Sequence, residues 1–272
     1  MEGPERGWGL ALAVVGALSG CVERSSHPPD AEPCPPGTPC VVPVISVRGT
    51  QVPNEGSDGE GGAKNGGEGE LTGRVLEVIT DSFSPSGVHT APAWVEVLGT
   101  NGLVVRAEWD GKEAFTLDGF SRSRTSWFSV RPDAGNAWLR TLQLVDTERY
   151  EASDLLLVSS DVVTTALSLV SVPVTPSAIA GHALLVFYSG ASPKAGVRVQ
   201  VAGAELVAYA SGGTWSRDED RTDTSGAVLL GNVRAAVFPG SKIEAKLSGS
   251  LTGTVTFQVA REAISLVRVQ AD

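Results

Sequence analysis

Histidine and cysteine are both scarce in this 272-residue chain, with three of each. His27, His89 and His182 lie far apart, and no HxxE, HExxH or GxSxG pattern occurs. Zinc hydrolysis and an α/β-hydrolase elbow therefore have no support. With no convergent nucleophile, base or metal cluster, the chain reads as a non-enzyme, and nothing in it implies a cofactor. Clustered Lys and Arg are also missing. The net charge is −10, which argues against a nucleic-acid partner, since phosphate binding needs concentrated positive charge. Strong helix formers are sparse, and an apolar i, i+3, i+4, i+7 pattern is absent beyond the first twenty residues.

What the chain has instead is glycine, 32 residues of it, among 42% hydrophobic and 19% charged residues. That balance suits short strands joined by many turns. The length allows one large domain or two ordinary ones. The expected fold class is all-β: two tandem β-sandwiches, transthyretin-like or Ig-like, behind a leader and a disordered tether.

Residues 1–20, MEGPERGWGLALAVVGALSG, hold Arg6 and then an apolar stretch from Trp8 to Leu18. The stretch is too short to span a bilayer and reads as a secretory leader, although Glu2 and Glu5 offset the positive charge such leaders carry. It ends in Leu18-Ser-Gly-Cys21, which resembles the lipobox of bacterial lipoproteins at all four positions. The resemblance implies that Cys21 is acylated and becomes the first residue after cleavage. Several acyl chains, each buried methylene contributing about 0.8 kcal/mol, then hold the protein firmly to a membrane. In that family an Asp after the Cys signals inner-membrane retention. Val22 stands there instead, which implies the outer membrane of a Gram-negative bacterium, facing the periplasm or the cell surface. Ordinary cleavage nearby, with Cys21 left as a thiol, is the alternative.

Residues 21–70 are rich in Pro, Gly, Ser and acids and carry a net −5. Such a segment cannot bury enough apolar surface to offset its ordering entropy, and it is expected to be a solvated, disordered tether. As a flexible coil it reaches roughly 35–40 Å. Cys34 and Cys40 flank PPGTP and are expected to form a local disulfide in an oxidising compartment, with two free thiols as the alternative. Two thiols without nearby histidines supply too few ligands for a metal. Within the tether, Val41–Val47 (VVPVISV) could instead add a short strand to the folded part.

Beyond Glu70 one pattern occurs twice. Leu71–Val78 (LTGRVLEV) matches Ile179–Val186 (IAGHALLV), Val95–Gly99 (VEVLG) matches Val199–Gly203 (VQVAG), Phe115–Phe120 (FTLDGF) matches Val228–Val233 (VLLGNV), and Ala166–Val172 (ALSLVSV) matches Ala263–Val269 (AISLVRV). The order implies a first sandwich over 71–172, a linker at 173–178, and a second sandwich over 179–272. Alternation within strands is clear. Val197, Val199 and Val201 oppose Arg198 and Gln200, and Ile243, Ala245 and Leu247 oppose Glu244, Lys246 and Ser248.

Pro193-Lys-Ala-Gly-Val-Arg-Val199 and the turn Thr222-Asp-Thr-Ser-Gly226 resemble the carboxypeptidase regulatory-like domain, a transthyretin-like sandwich. The likeness covers the second repeat well. The first departs from it, with WDGKEAFTL from Trp109 in place of the turn and APAWVEV in place of the proline-led strand. This module is non-catalytic, so the resemblance implies no enzyme.

Two patches invite a binding reading. Asp218, Asp220 and Asp223 supply clustered hard oxygens for a possible calcium ion, but Arg217 and Arg221 are interleaved and EF-hand spacing is missing, which favours a solvated loop. Trp94, Trp109, Trp127 and Trp138 all fall in the first repeat. If Val95, Val97, Phe128 and Val130 face inward, Trp94 (beside Glu96) and Trp127 face outward, as a partner or glycan surface would require. Alternatively, the tether or the second repeat covers them. The same alternation puts His182 on an outward side, where Arg74 stands in the first repeat. The expected function is thus a non-enzymatic, lipid-anchored envelope protein, tied to the membrane through Cys21, that contacts an envelope protein or serves as a structural module. A glycan- or peptidoglycan-binding module is the alternative.

Overall fold

The computed structural model describes residues 45–47, 68–80, 83–99, 102–123, 126–135, 137–170 and 174–271, all within one compact unit. Cys21, Cys34 and Cys40, the leader and most of the tether lie outside the described residues. So does part of the linker, residues 171–173 being undescribed.

The described residues are all-β apart from one short helix. β1 (Ile45–Val47) comes first. The N-terminal half follows with β2 (Glu68–Gly73), β3 (Val75–Val78), β4 (Gly87–Val88), β5 (Ala93–Leu98), β6 (Val104–Trp109), β7 (Phe115–Ser121), β8 (Ser126–Pro132), β9 (Trp138–Val145), β10 (Leu155–Ser159) and α1 (Ser160–Ser168). The C-terminal half has β11 (Ala180–Ser189), β12 (Ser192–Pro193), β13 (Val197–Val201), β14 (Ala204–Ser211), β15 (Thr214–Ser216), β16 (Ala227–Arg234), β17 (Ser241–Gly249), β18 (Gly253–Val259) and β19 (Ala263–Ala271).

Alternation builds these strands as expected. In β13 the buried Val197 and Val199 alternate with exposed Arg198 and Gln200, and in β17 the buried Ala245 and Leu247 alternate with exposed Glu244 and Lys246. The sheet β13-β17-β18 faces the sheet holding β14, β16, β11 and β19. Between them lies one core that includes Phe187, Val199, Leu230, Phe257 and Val267. The N-terminal half has its own core, with Trp109, Phe115, Phe120 and Phe128 fully buried among aliphatic residues.

The two halves share hydrogen-bonded sheet. β19 lies parallel to β11 along its length, and its first residues, Ala263–Leu266, also pair in parallel with Arg140–Gln143 of β9. β1 pairs with β19 over Val269–Ala271, just beyond the stretch taken by β9. Ile45–Val47 thus adds a strand to the folded part, the alternative that its apolar sequence allowed.

One repeat match is misplaced. Ala166–Ser168, matched to the start of β19, belongs to α1. The strand that occupies the β19 position is β10, which pairs parallel with β3 as β19 does with β11. Local chemistry explains the helix: Ser159 caps it by accepting from the Asp161 amide at 3.3 Å, Asp161 sits in the positive first turn, and Val162, Val163, Ala166 and Leu167 form one buried stripe. That stripe rests on the back of the C-terminal sheet, with Leu184, Leu206, Ala208, Leu229 and Ile264 in the same core. Gly231 of β16 makes the contact close. A Cβ there would come within 2.9 Å of the Leu167 side chain and 3.0 Å of Leu206.

The turn at Thr222–Gly226 is a staple. Thr222, 3% exposed, accepts from the Val197 amide (3.0 Å) and donates to the Lys194 carbonyl (2.8 Å), joining the proline-led strand to the turn. Thr222→Val keeps the shape but leaves a buried amide unpaired, so it should cost about 1–3 kcal/mol in urea denaturation. A loss under ~0.5 kcal/mol would contradict this role.

Candidate functional site

The outer face of the β5-β8-β9 sheet carries Trp94 and Glu96 on β5, Trp127, Ser129 and Arg131 on β8, and Arg140, Leu142 and Leu144 on β9, as strand alternation and register require. The C-terminal half lies over part of this face. Leu142 packs with Ala260 and Ala263, and Trp127 and Phe238 close the cluster. Trp127 also packs against the C-terminal core. It is therefore not a free partner or glycan surface: the pairing of β9 with β19 brings the second half over it. Trp94 stays half-buried, its indole nitrogen donating to Asp133 at 3.0 Å and its ring 5.6 Å from the Arg106 guanidinium carbon.

Beside the covered part the two halves leave a cleft of about 760 Å³. The ends of β8 and β9 give it Arg131, Trp138 and Arg140. The residues entering β11 give Ser177 and His182, and the loops after β16 and β18 give Val237, Phe238, Arg261 and Glu262. Glu96 lies beneath, 5% exposed. Alternation correctly placed it opposite Val95 and Val97 but not in water, because that face is covered. Its Oε1 accepts from Arg131 Nε at 3.3 Å, and its Oε2 lies 3.3 Å from Arg140 Nη2 without hydrogen-bond geometry. Two guanidinium groups thus share one buried carboxylate. Arg140 also stacks over the Phe238 ring at 5.0 Å. Burial pushes its pKa below the ordinary arginine value. Glu96 opposes that shift and Arg131 adds to it, and the group stays charged. Arg261 is fixed by donating from Nε to the Ala235 carbonyl at 2.8 Å.

His182 is buried at 3% exposure, not outward-facing, because β9 and the connector at 174–178 close over its side of β11. Its Nδ1 accepts weakly from the Asn232 amide at 3.4 Å, and burial lowers its pKa to about 4, so it is neutral at pH 7. Asn232 fastens the connector by accepting from the Ser177 amide (3.0 Å) and donating to the Thr175 carbonyl (2.8 Å). Arg74, the counterpart of His182, faces solvent in part and grips Asp154 through Nη2 at 2.6 Å.

Two carboxylates of the acidic loop are committed to other contacts. Asp220 pairs with Arg198 and Arg221, and Asp223 accepts from the Ser225 amide (2.8 Å) and hydroxyl (2.6 Å). Ser216 caps the turn before them, its Oγ accepting from the Asp218 backbone amide at 3.1 Å. Among the described residues no group of three or more His, Cys, Asp or Glu is arranged to hold a metal ion. Sequence reasoning did not find Arg131, Arg140, Arg261 or Phe238, since they come from four separate segments. The one local signal was a charged residue, Glu96, on a strand flanked by valines.

No family model matches the chain, and no curated protein matches it. Among solved structures it is similar to the Bacillus anthracis TIE protein, at 13% identity and a TM-score of 0.22 over 75% of this chain and 34% of that one. It is also similar to the full-length RrgB pilus protein from Streptococcus pneumoniae, at 13% identity and a TM-score of 0.22 over 76% of this chain and 47% of that one. The chain spans less than half the length of either.

Proposed function

We propose that this is a non-enzymatic envelope protein, anchored through acylated Cys21 to the outer membrane of a Gram-negative bacterium, whose joined β-rich halves serve as a binding module. The observation that carries the reading is the joint. Parallel pairing of β9 with β19 makes the halves one sheet, and the cleft beside it gathers three arginines and two aromatic rings from both halves. Ligand sites favour such concave junctions. The tether then gives the cleft reach from the membrane.

The glycan reading moves from Trp127 to this cleft. Trp138 lines it, and Trp94 stands directly opposite Arg131 in the sheet. Replacing Cys21 by Ala tests the anchor. The variant should leave the membrane fraction, and unchanged retention would refute lipid attachment.

A further inference from the structure

We infer that the cleft between the halves binds a carboxylate carried on a sugar ring, as in an acidic saccharide built from uronic acids. The inference rests on the reading of the joint as the binding face and adds the class of ligand.

Charge comes first. Arg131, Arg140 and Arg261 bring three positive charges to the cleft, and Glu96 and Glu262 bring two negative ones. His182 is neutral at pH 7 and adds none. One positive charge is left over in a half-enclosed space, which matches one carboxylate better than a phosphate carrying nearly two charges. Geometry agrees. Arg140 makes no hydrogen bond of good geometry among the described residues: its guanidinium has only the 3.3 Å ion pair and the Phe238 ring, and its side chain keeps 20% exposure. Its planar fork is therefore available to grip a carboxylate with two parallel bonds.

The walls say what carries the carboxylate. Trp138 packs against the N-terminal core and meets the His89 ring edge-to-face at 4.9 Å, so the cleft has the remaining part of its indole surface, on which the C–H face of a pyranose can lie. The lining prolines Pro132 and Pro176 lack N–H groups, so they cannot pair with a peptide backbone as a sheet edge would. The 760 Å³ volume lies within the range of small-molecule sites, about 300–1,000 Å³.

The test titrates the full-length chain in detergent, by calorimetry at low salt, with trigalacturonate, a neutral galactose trimer and trialanine. Trigalacturonate should bind with Kd below about 1 mM, and the neutral trimer and trialanine at least about tenfold more weakly. Arg140→Gln and Arg261→Gln should each weaken trigalacturonate binding about tenfold or more, as expected for loss of a charge-assisted contact. Arg261 is exposed, so its variant keeps the test valid if Arg140→Gln unfolds. Equal binding of the neutral trimer, preference for trialanine, no binding at all, or full binding by both variants would each overturn the proposal. If uronate fails while photo-cross-linking from the cleft lip still captures a discrete partner, the ligand class is wrong and the binding-face reading survives. If both fail, both fall.

Discussion

Leu167→Ala should destabilise the protein by about 2–5 kcal/mol in urea denaturation and separate the unfolding of the two halves into two transitions. Leu167 is fully buried, and its contact with Gly231 is part of the apolar seam by which α1, chain-continuous with the N-terminal half, rests on the C-terminal sheet. Truncation leaves a cavity at the seam and weakens the coupling between halves. The tryptophans report each side: Trp109 lies in the N-terminal core and Trp215 in the seam. A change under ~1 kcal/mol would mean that α1 does not bind the halves together.

The second large effect is a loss of stability in mild acid. His182 has its pKa lowered from 6.5 to about 4 by burial. Between those values the unfolded chain binds a proton that the folded chain does not. The contribution is therefore complete above about pH 6.5 and falls as the pH drops toward 4, by roughly 3 kcal/mol in all. Other groups titrate over the same range, so the comparison is with His182→Gln, whose stability should fall about 3 kcal/mol less between pH 7 and pH 4. Parallel pH profiles for the two proteins would contradict a buried, neutral His182.

Burial also explains what the sequence could and could not show. The all-β class and the strand faces at Val197–Val201 and Ile243–Leu247 were legible, because one-sided burial writes a period of two into the residues. The repeat matched equivalent strands at β11 and β16, since β2 pairs antiparallel with β7 as β11 does with β16; the matched β5 and β13 differ, β5 lying between β6 and β8 and β13 at the edge against β17. It failed at Ala166–Val172, where an apolar string that resembles the start of β19 forms a capped helix in order to cover the neighbouring half. The site failed for a related reason. Trp127 and Glu96 follow the alternation, yet the face expected to look outward is covered at Trp127 by Ala260 and Ala263, more than 130 positions away in the chain, while His182 sits at a break in the β11–β16 register, beside the connector and β9. A pattern within one strand records which side a residue faces, not what another segment later places there. Thr222–Gly226 was visible as a turn, and its role as a staple only emerged when Thr222 met Val197 and Lys194.

The account turns on whether the cleft is where this protein meets its partner. The most direct measurement is photo-cross-linking in intact cells from a benzoylphenylalanine placed at Val237 on the cleft lip, compared with one at Leu103 in the β5–β6 turn. Each native side chain is 67% exposed, so accessibility does not bias the comparison. The account predicts a discrete cross-linked product from position 237 that is lost when Arg261→Gln is added, and none from position 103. The same products from both positions, or a product from position 103 alone, would contradict it.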